Sequence, residues 1–171
     1  MKLTTREITT AAVAAALIFA VTAIVRVPMP VPGGEGYFNL GDAAIFLCAF
    51  LIGGWRAALA AAIGSSISDL ALGFPVYILP TFIIKGLMGL TAAKLCYGKG
   101  FVRFLLACVT GALIMTLGYT AFEFFVFSPA TATVSLPGNA LQGVAAVICS
   151  ASLYVPVTRL KLLLPTIEKR V

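Results

Sequence analysis

Residues 41–86 read GDAAIFLCAFLIGGWRAALAAAIGSSISDLALGFPVYILPTFIIKG. Three apolar runs are separated here by two breaks, Gly53-Gly54 and Gly73-Phe74-Pro75. That is the punctuation of short helices joined by tight turns. Arg56 falls beside the first break, whereas Asp69 and Lys85 lie inside the runs. An ionisable side chain at the centre of a lipid-spanning helix costs roughly 2.5–3.5 kcal/mol, so these two need a reason to be there.

The rest of the chain has the same character. It holds 171 residues, 61% hydrophobic and only 11% charged. Soluble domains are about a quarter charged, so the chain reads as an all-α integral membrane protein. The expected helices span about 8–25, 41–52, 56–72, 77–96, 103–127 and 139–162, one six-transmembrane-helix bundle without a soluble domain. After the first helix come Arg26 and the alternating prolines Pro28, Pro30 and Pro32, which predict an extended segment leading into a glycine-rich loop up to Asn39. The expected second helix is short for a span, so it is tilted or its preceding loop folds down into the protein. Residues 128–138 read as a polar loop.

The basic residues set the orientation. With the N-terminus inside, Lys2, Arg6, Arg56, Lys94, Lys99, Arg103, Arg159, Lys161, Lys169 and Arg170 all fall at inner ends and turns, and Arg26 alone falls outside. The positive-inside rule then places both the N- and C-termini in the cytoplasm. The net charge of +6 reflects this pattern and forms no nucleic-acid-binding face. The start of the chain resembles a signal peptide, but Glu7 interrupts its basic region, and a retained first helix is expected.

Other functions find little support. There is no histidine, and Cys48, Cys96, Cys108 and Cys149 are scattered singly, which argues against zinc and histidine acid–base chemistry. No Ser/Lys dyad at evident spacing and no metal-ligand cluster points to an intramembrane enzyme. A stand-alone secondary transporter or channel is the main alternative, although residues 1–85 and 86–171 show no inverted repeat.

Two surfaces stand out. Ala11, Ala12, Ala15, Ala16 and Ala20 on helix 1 recur at four-residue spacing, as do Ala57, Ala58, Ala61 and Ala62 on helix 3, followed by Gly64 and Ser68. Such stripes let helix backbones approach closely, either inside the bundle or against a second membrane protein. The other surface is polar and lies in the expected outer half. Tyr77, Thr81 and Lys85 share one face of helix 4, Tyr119 and Glu123 one face of helix 5, and Asn139 and Gln142 open helix 6. Asp69 ends helix 3, and Asn39 and Asp42 flank the start of helix 2. Asp42 and Asn139 can be read as helix caps, and Asp69 with Lys85 as either a buried pair or two ligand contacts. Tyr37, Phe38, Tyr77 and Tyr119 suit an interfacial belt or a stacking surface.

Tyr37 to Asp42, Ile52-Gly53-Gly54, Gly64-Ser65 to Asp69-Leu70, and Pro80-Thr81 to Lys85-Gly86 together resemble the substrate-binding S components of energy-coupling factor (ECF) vitamin transporters. The riboflavin and hydroxymethylpyrimidine/pyridoxine branch is the most similar. The resemblance implies a six-helix subunit in the cell membrane of a prokaryote, with a vitamin as transported ligand and no permanent cofactor. It also implies docking, through Ala11, Ala12, Ala15, Ala16 and Ala20, on a transmembrane T component attached to two ATPases. The family's pocket maps onto Asn39, Tyr77, Thr81, Lys85, Tyr119, Glu123, Asn139 and Gln142. The mixture of one base and two acids, Lys85 with Asp69 and Glu123, favours a neutral or weakly cationic ligand.

Overall fold

A computed structural model describes residues 4–31 and 34–163. It contains six α-helices: α1 (Thr5–Ile24), α2 (Gly41–Ile52), α3 (Gly54–Ala71), α4 (Ile78–Cys96), α5 (Phe101–Val126) and α6 (Pro129–Leu163). Two short strands, β1 (Arg26–Val31) and β2 (Gly34–Asn39), link α1 to α2, and a single 3-10 turn (Pro75–Tyr77) precedes α4.

The second helix is the axis of the bundle. It packs against all five other helices, which follow one another round it in the order α1, α3, α4, α5, α6. Gly41 to Ile45, Phe46, Cys48, Ala49 and Phe50 are all buried. This explains why α2 is apolar all round and has no lipid-facing stripe. Its twelve residues rise only about 18 Å, against a hydrocarbon core of about 30 Å. The β-hairpin leads into its start, and Asn39 at the root of the hairpin bonds Gln142 of α6.

That hairpin corrects the all-α expectation. β1 and β2 pair antiparallel, with Val27 opposite Phe38, Pro28 opposite Tyr37 and Pro30 opposite Glu35. The Leu40 amide donates to the Val25 carbonyl, so the hydrogen-bonded positions of β1 are the odd ones. Pro28 and Pro30 occupy the even positions, where no ladder donor is needed. The alternating prolines therefore encode a strand with one donor-poor edge.

A second correction concerns residues 128–138. They form no loop, because α6 begins at Pro129 and runs for 35 residues. The Ser128 hydroxyl accepts from the Thr131 amide at 3.1 Å, which caps the helix, and Pro129 takes the first helical position. Pro137 is accommodated inside the helix at the expense of one backbone hydrogen bond.

Among the described residues, four segments are long and apolar enough to cross a membrane: Thr5–Ile24, Pro75–Cys96, Phe101–Val126 and Pro129–Arg159. α1 and α3 cross closely at Gly64, where a Cβ would stand 2.5 Å from the Ala15 carbonyl oxygen. Between α2 and α3, Gly53 and Gly54 adopt φ of 62° and 57°, a left-handed turn that favours glycine.

Candidate functional site

The polar residues singled out in the sequence converge on the hairpin end of the bundle. α3 brings Asp69, α4 brings Thr81 and Lys85, α5 brings Tyr119 and Glu123, and α6 brings Asn139 and Gln142, with Tyr77 in the turn before α4. Asp69, Thr81, Lys85, Glu123, Gln142 and Asn39 are all buried. Three hydrogen-bonded groups organise them.

The first group corrects the pairing of Asp69 with Lys85. The Lys85 ammonium forms its ion pair with Asp42 of α2, and both side chains are almost wholly buried. Gln142 Nε2 donates to the other Asp42 oxygen, Oδ2, at 3.0 Å. Gln142 Oε1 accepts from the Asn39 amide at 3.0 Å and from Asn39 Nδ2 at 3.3 Å. Asn39 Oδ1 in turn accepts from the Gly41 amide at 2.9 Å. The chain of contacts thus runs from α4 through α2 and α6 to the root of the hairpin. Asp42 makes no side-chain cap at the start of α2, contrary to the capping alternative.

The second group lies under the hairpin. The Tyr37 hydroxyl donates to Asp69 Oδ1 at 2.6 Å, and its ring tilts against Phe74 at 5.1 Å. Burial, then the adjacent Asp69 carboxylate, push the Tyr37 phenol well above its ordinary pKa, so it stays a donor. Thr81 and Tyr119 share a hydroxyl–hydroxyl bond of 2.7 Å, and the Tyr119 ring faces the Lys85 ammonium at 5.3 Å.

The third group centres on Glu123. The Tyr77 hydroxyl donates to Glu123 Oε1 at 3.1 Å, with Ser135 of α6 close by. The Tyr77 ring packs against Tyr119, Phe122 and Phe127. Asn139 is no helix cap, since it lies ten residues inside α6. Its carbonyl accepts from Thr116 of α5 at 3.4 Å.

Among the described residues, four buried side-chain atoms have no hydrogen-bond partner: Thr22 Oγ1, Asp69 Oδ2, Glu123 Oε2 and Asn139 Nδ2. The Thr81 hydroxyl and the Lys85 ammonium act on Asp69, and the Ser135 hydroxyl acts on Glu123. All four atoms sit at the hairpin end. Buried polar groups are nearly always bonded, so a cluster of exceptions makes this end the candidate site. Tyr37, Tyr77 and Tyr119 supply aromatic surface beside them.

Asp42, Thr22 and Ser135 were not among the expected site residues. Asp42 had a usable signal, because one intramembrane lysine faced three acids and the partner was open. Ser135 was hidden by the loop reading of its segment.

Away from the polar end, α1 and α3 form an apolar groove of about 660 Å³. Ala11, Ala12, Ala15 and Ala16 line it together with Trp55 and Ile67, and Ala20 lies outside it. Ala57 and Ala61 instead face α4 at Gly89, so that stripe serves internal packing.

These features describe a multi-pass membrane protein with a buried polar cluster at one end of its helices. Comparison with known proteins makes the class specific. The family described as ECF-type riboflavin transporter, S component, matches residues 2–159. The chain belongs to this family, and so is a vitamin-binding subunit of a transporter rather than an enzyme. It is also 32% identical over 133 residues to a protein of Pyrococcus woesei described as an uncharacterised protein in the gap 3′ region. That match covers 77% of this chain and 88% of the relative.

Proposed function

We propose that this protein captures a B vitamin or vitamin precursor of the riboflavin, pyridoxine or hydroxymethylpyrimidine class outside a prokaryotic plasma membrane. It then delivers its cargo inward with a T component and two ATPases. The observation that carries this reading is the set of unpartnered buried polar atoms on Asp69, Glu123 and Asn139, ringed by three tyrosines beneath the hairpin. A scavenger working at nanomolar concentration needs about −12 kcal/mol. Burying a heteroaromatic ring against Tyr37, Tyr77 and Tyr119 supplies apolar contact, while the unpaired groups read its polar edge. Asp69 and Glu123 accept from ring N–H, amine or hydroxyl groups, and Asn139 Nδ2 donates to a carbonyl. Flavin is favoured within the class because the matching family is described by riboflavin.

In this reading the six helices all belong to the membrane domain, the hairpin end faces outward, and both termini are cytoplasmic. The groove between α1 and α3, lined by Ala11, Ala12, Ala15 and Ala16, receives the T component.

The deciding experiment is mass spectrometry and absorbance of small molecules released from the detergent-purified protein, followed by titration with a vitamin panel. Near-stoichiometric flavin, pyridoxine-like or pyrimidine compound supports the proposal and names the cargo. An empty preparation that binds none of the panel refutes it. Uptake persisting in cells without any ATPase partner would instead support the stand-alone transporter.

A further inference from the structure

Both ends of the Gln142 side-chain amide are engaged within the chain. Oε1 accepts from the Asn39 main-chain amide at 3.0 Å and from Asn39 Nδ2 at 3.3 Å, while Nε2 donates to Asp42 Oδ2 at 3.0 Å. Asn139, one turn earlier on α6, instead keeps Nδ2 unpartnered among the described residues. We propose that Gln142 is a positioning residue rather than a ligand contact. It ties the root of the hairpin to the buried Asp42–Lys85 pair, and so fixes where β2 carries Tyr37 beside the site. This inference rests on the vitamin-binding reading for its effect on the ligand, and deepens it by naming the residue that holds the hairpin in place.

The residue type follows from what it joins. A main-chain N–H can only donate, and the Asp42 carboxylate, paired with the Lys85 ammonium, only accepts. A side chain between them has to accept at one end and donate at the other, which an amide does. Glutamate would set a second carboxylate against Asp42, and an apolar residue would strand a buried donor and a buried acceptor. The effect reaches the site through the strand. Asn39 ends β2 and Tyr37 lies two residues before it, so alternation puts both side chains on one face. That face is held at two points, by α6 through Gln142 and by α3 through the 2.6 Å bond from Tyr37 to Asp69. Asn39 Oδ1 also accepts from the Gly41 amide at 2.9 Å, which carries the restraint into the first turn of α2. Releasing Gln142 removes one of the two points, so the hairpin opens more often and bound ligand leaves sooner.

The test measures amide hydrogen exchange by mass spectrometry in the detergent-purified, ligand-free full chain, beside riboflavin titration and stopped-flow dissociation. Gln142→Met, close in volume but unable to bridge, is expected to speed exchange across residues 34–42 about tenfold or more, with α4 and α5 as in wild type. Riboflavin is expected to leave this variant about tenfold faster, with a smaller change in its association rate. Asn139→Ala is expected to weaken riboflavin binding while hairpin exchange stays at the wild-type rate. Wild-type hairpin exchange in Gln142→Met overturns the inference, as does exchange that rises alike in every helix, which marks a general loss of packing. A swap of polarity separates bridging from volume. Gln142→Glu alone sets like charges together and is expected to loosen the hairpin. Adding Asp42→Asn restores a donor on α2 for the acceptor on α6, and is expected to return hairpin exchange most of the way to wild type. A double variant no better protected than Gln142→Glu overturns the inference. Where Gln142→Glu fails to fold, folding of the double variant is itself the recovery, and its failure counts against the inference equally. A wild type that binds no riboflavin contradicts the flavin reading separately, while the exchange rates, taken without ligand, still decide the role of Gln142.

Discussion

Glu123 and Asn139 each hold one bonded and one unbonded polar group at the hairpin end, and the two deficits are complementary. Glu123→Gln keeps the acceptor for Tyr77 and removes the charge, whereas Asn139→Ala deletes the donor. Each change is expected to weaken vitamin binding about tenfold or more, the scale of one lost charge-assisted or buried hydrogen bond. Titration of the purified variants reads this directly, and wild-type affinity in both would remove these residues from the pocket. Tyr37 makes a different prediction. Tyr37→Phe keeps the ring against Phe74 but leaves Asp69 Oδ1 without its donor. The stranded acceptor costs about 1–3 kcal/mol, visible as a lower Tm in detergent together with weaker binding. A Tyr37→Phe protein with the Tm and affinity of wild type would mean that the hairpin contact with α3 is incidental.

Among the elements, the α1–α3 crossing has the least tolerance for added volume. Gly64 lets the Ala15 carbonyl come within van der Waals range, so Gly64→Leu must force the two helices apart. The expected result is a loss of several kcal/mol, seen as poor expression or a sharply lowered Tm. The long apolar runs made the helices legible, and residues 41–52 of α2 coincide with the expected span. The hairpin was not anticipated because prolines and glycines normally argue against strands. Its signal was the period of two in Pro28 and Pro30, which places every missing donor on the edge facing away from β2. The start of α6 was missed because Pro137-Gly138 reads as a break, although Ser128-Pro129 already spelled a helix start. Periodicity also brought the site residues of α4 and α5 onto common faces. It could not assign partners across helices, which is why Asp42 was read as a cap and Lys85 was set beside Asp69.

At the scale of the whole molecule, charge distribution and the α1–α3 groove make separable predictions. Ten basic residues at one side against Arg26 at the other predict that the hairpin faces outward. A cysteine at the exposed Val27 is expected to react with a membrane-impermeant maleimide in intact cells, whereas one at Lys99 should react only after permeabilisation. The native thiols Cys48, Cys96 and Cys108 are buried and give little background. Labelling in the opposite order would invert the topology. Ala12 is exposed in the groove and far from the polar cluster. Ala12→Trp is therefore expected to bind vitamin as wild type does, yet to lose ATP-driven uptake in cells that supply the T component and ATPases. Uptake at the wild-type rate would move the docking surface elsewhere.

The central position of α2 has a consequence for biogenesis. Its neighbours α4, α5 and α6 do not exist when this helix leaves the ribosome. It is too short to bridge the bilayer alone, and Asp42 near its start has no counter-charge until Lys85 is synthesised. Its resting place is therefore created by residues up to a hundred positions later, such as Gln142. The first half of the chain cannot mature as an independent unit. A chain ending at Phe127 is expected to leave Cys48 open to alkylation in the membrane, while the full-length protein shields it.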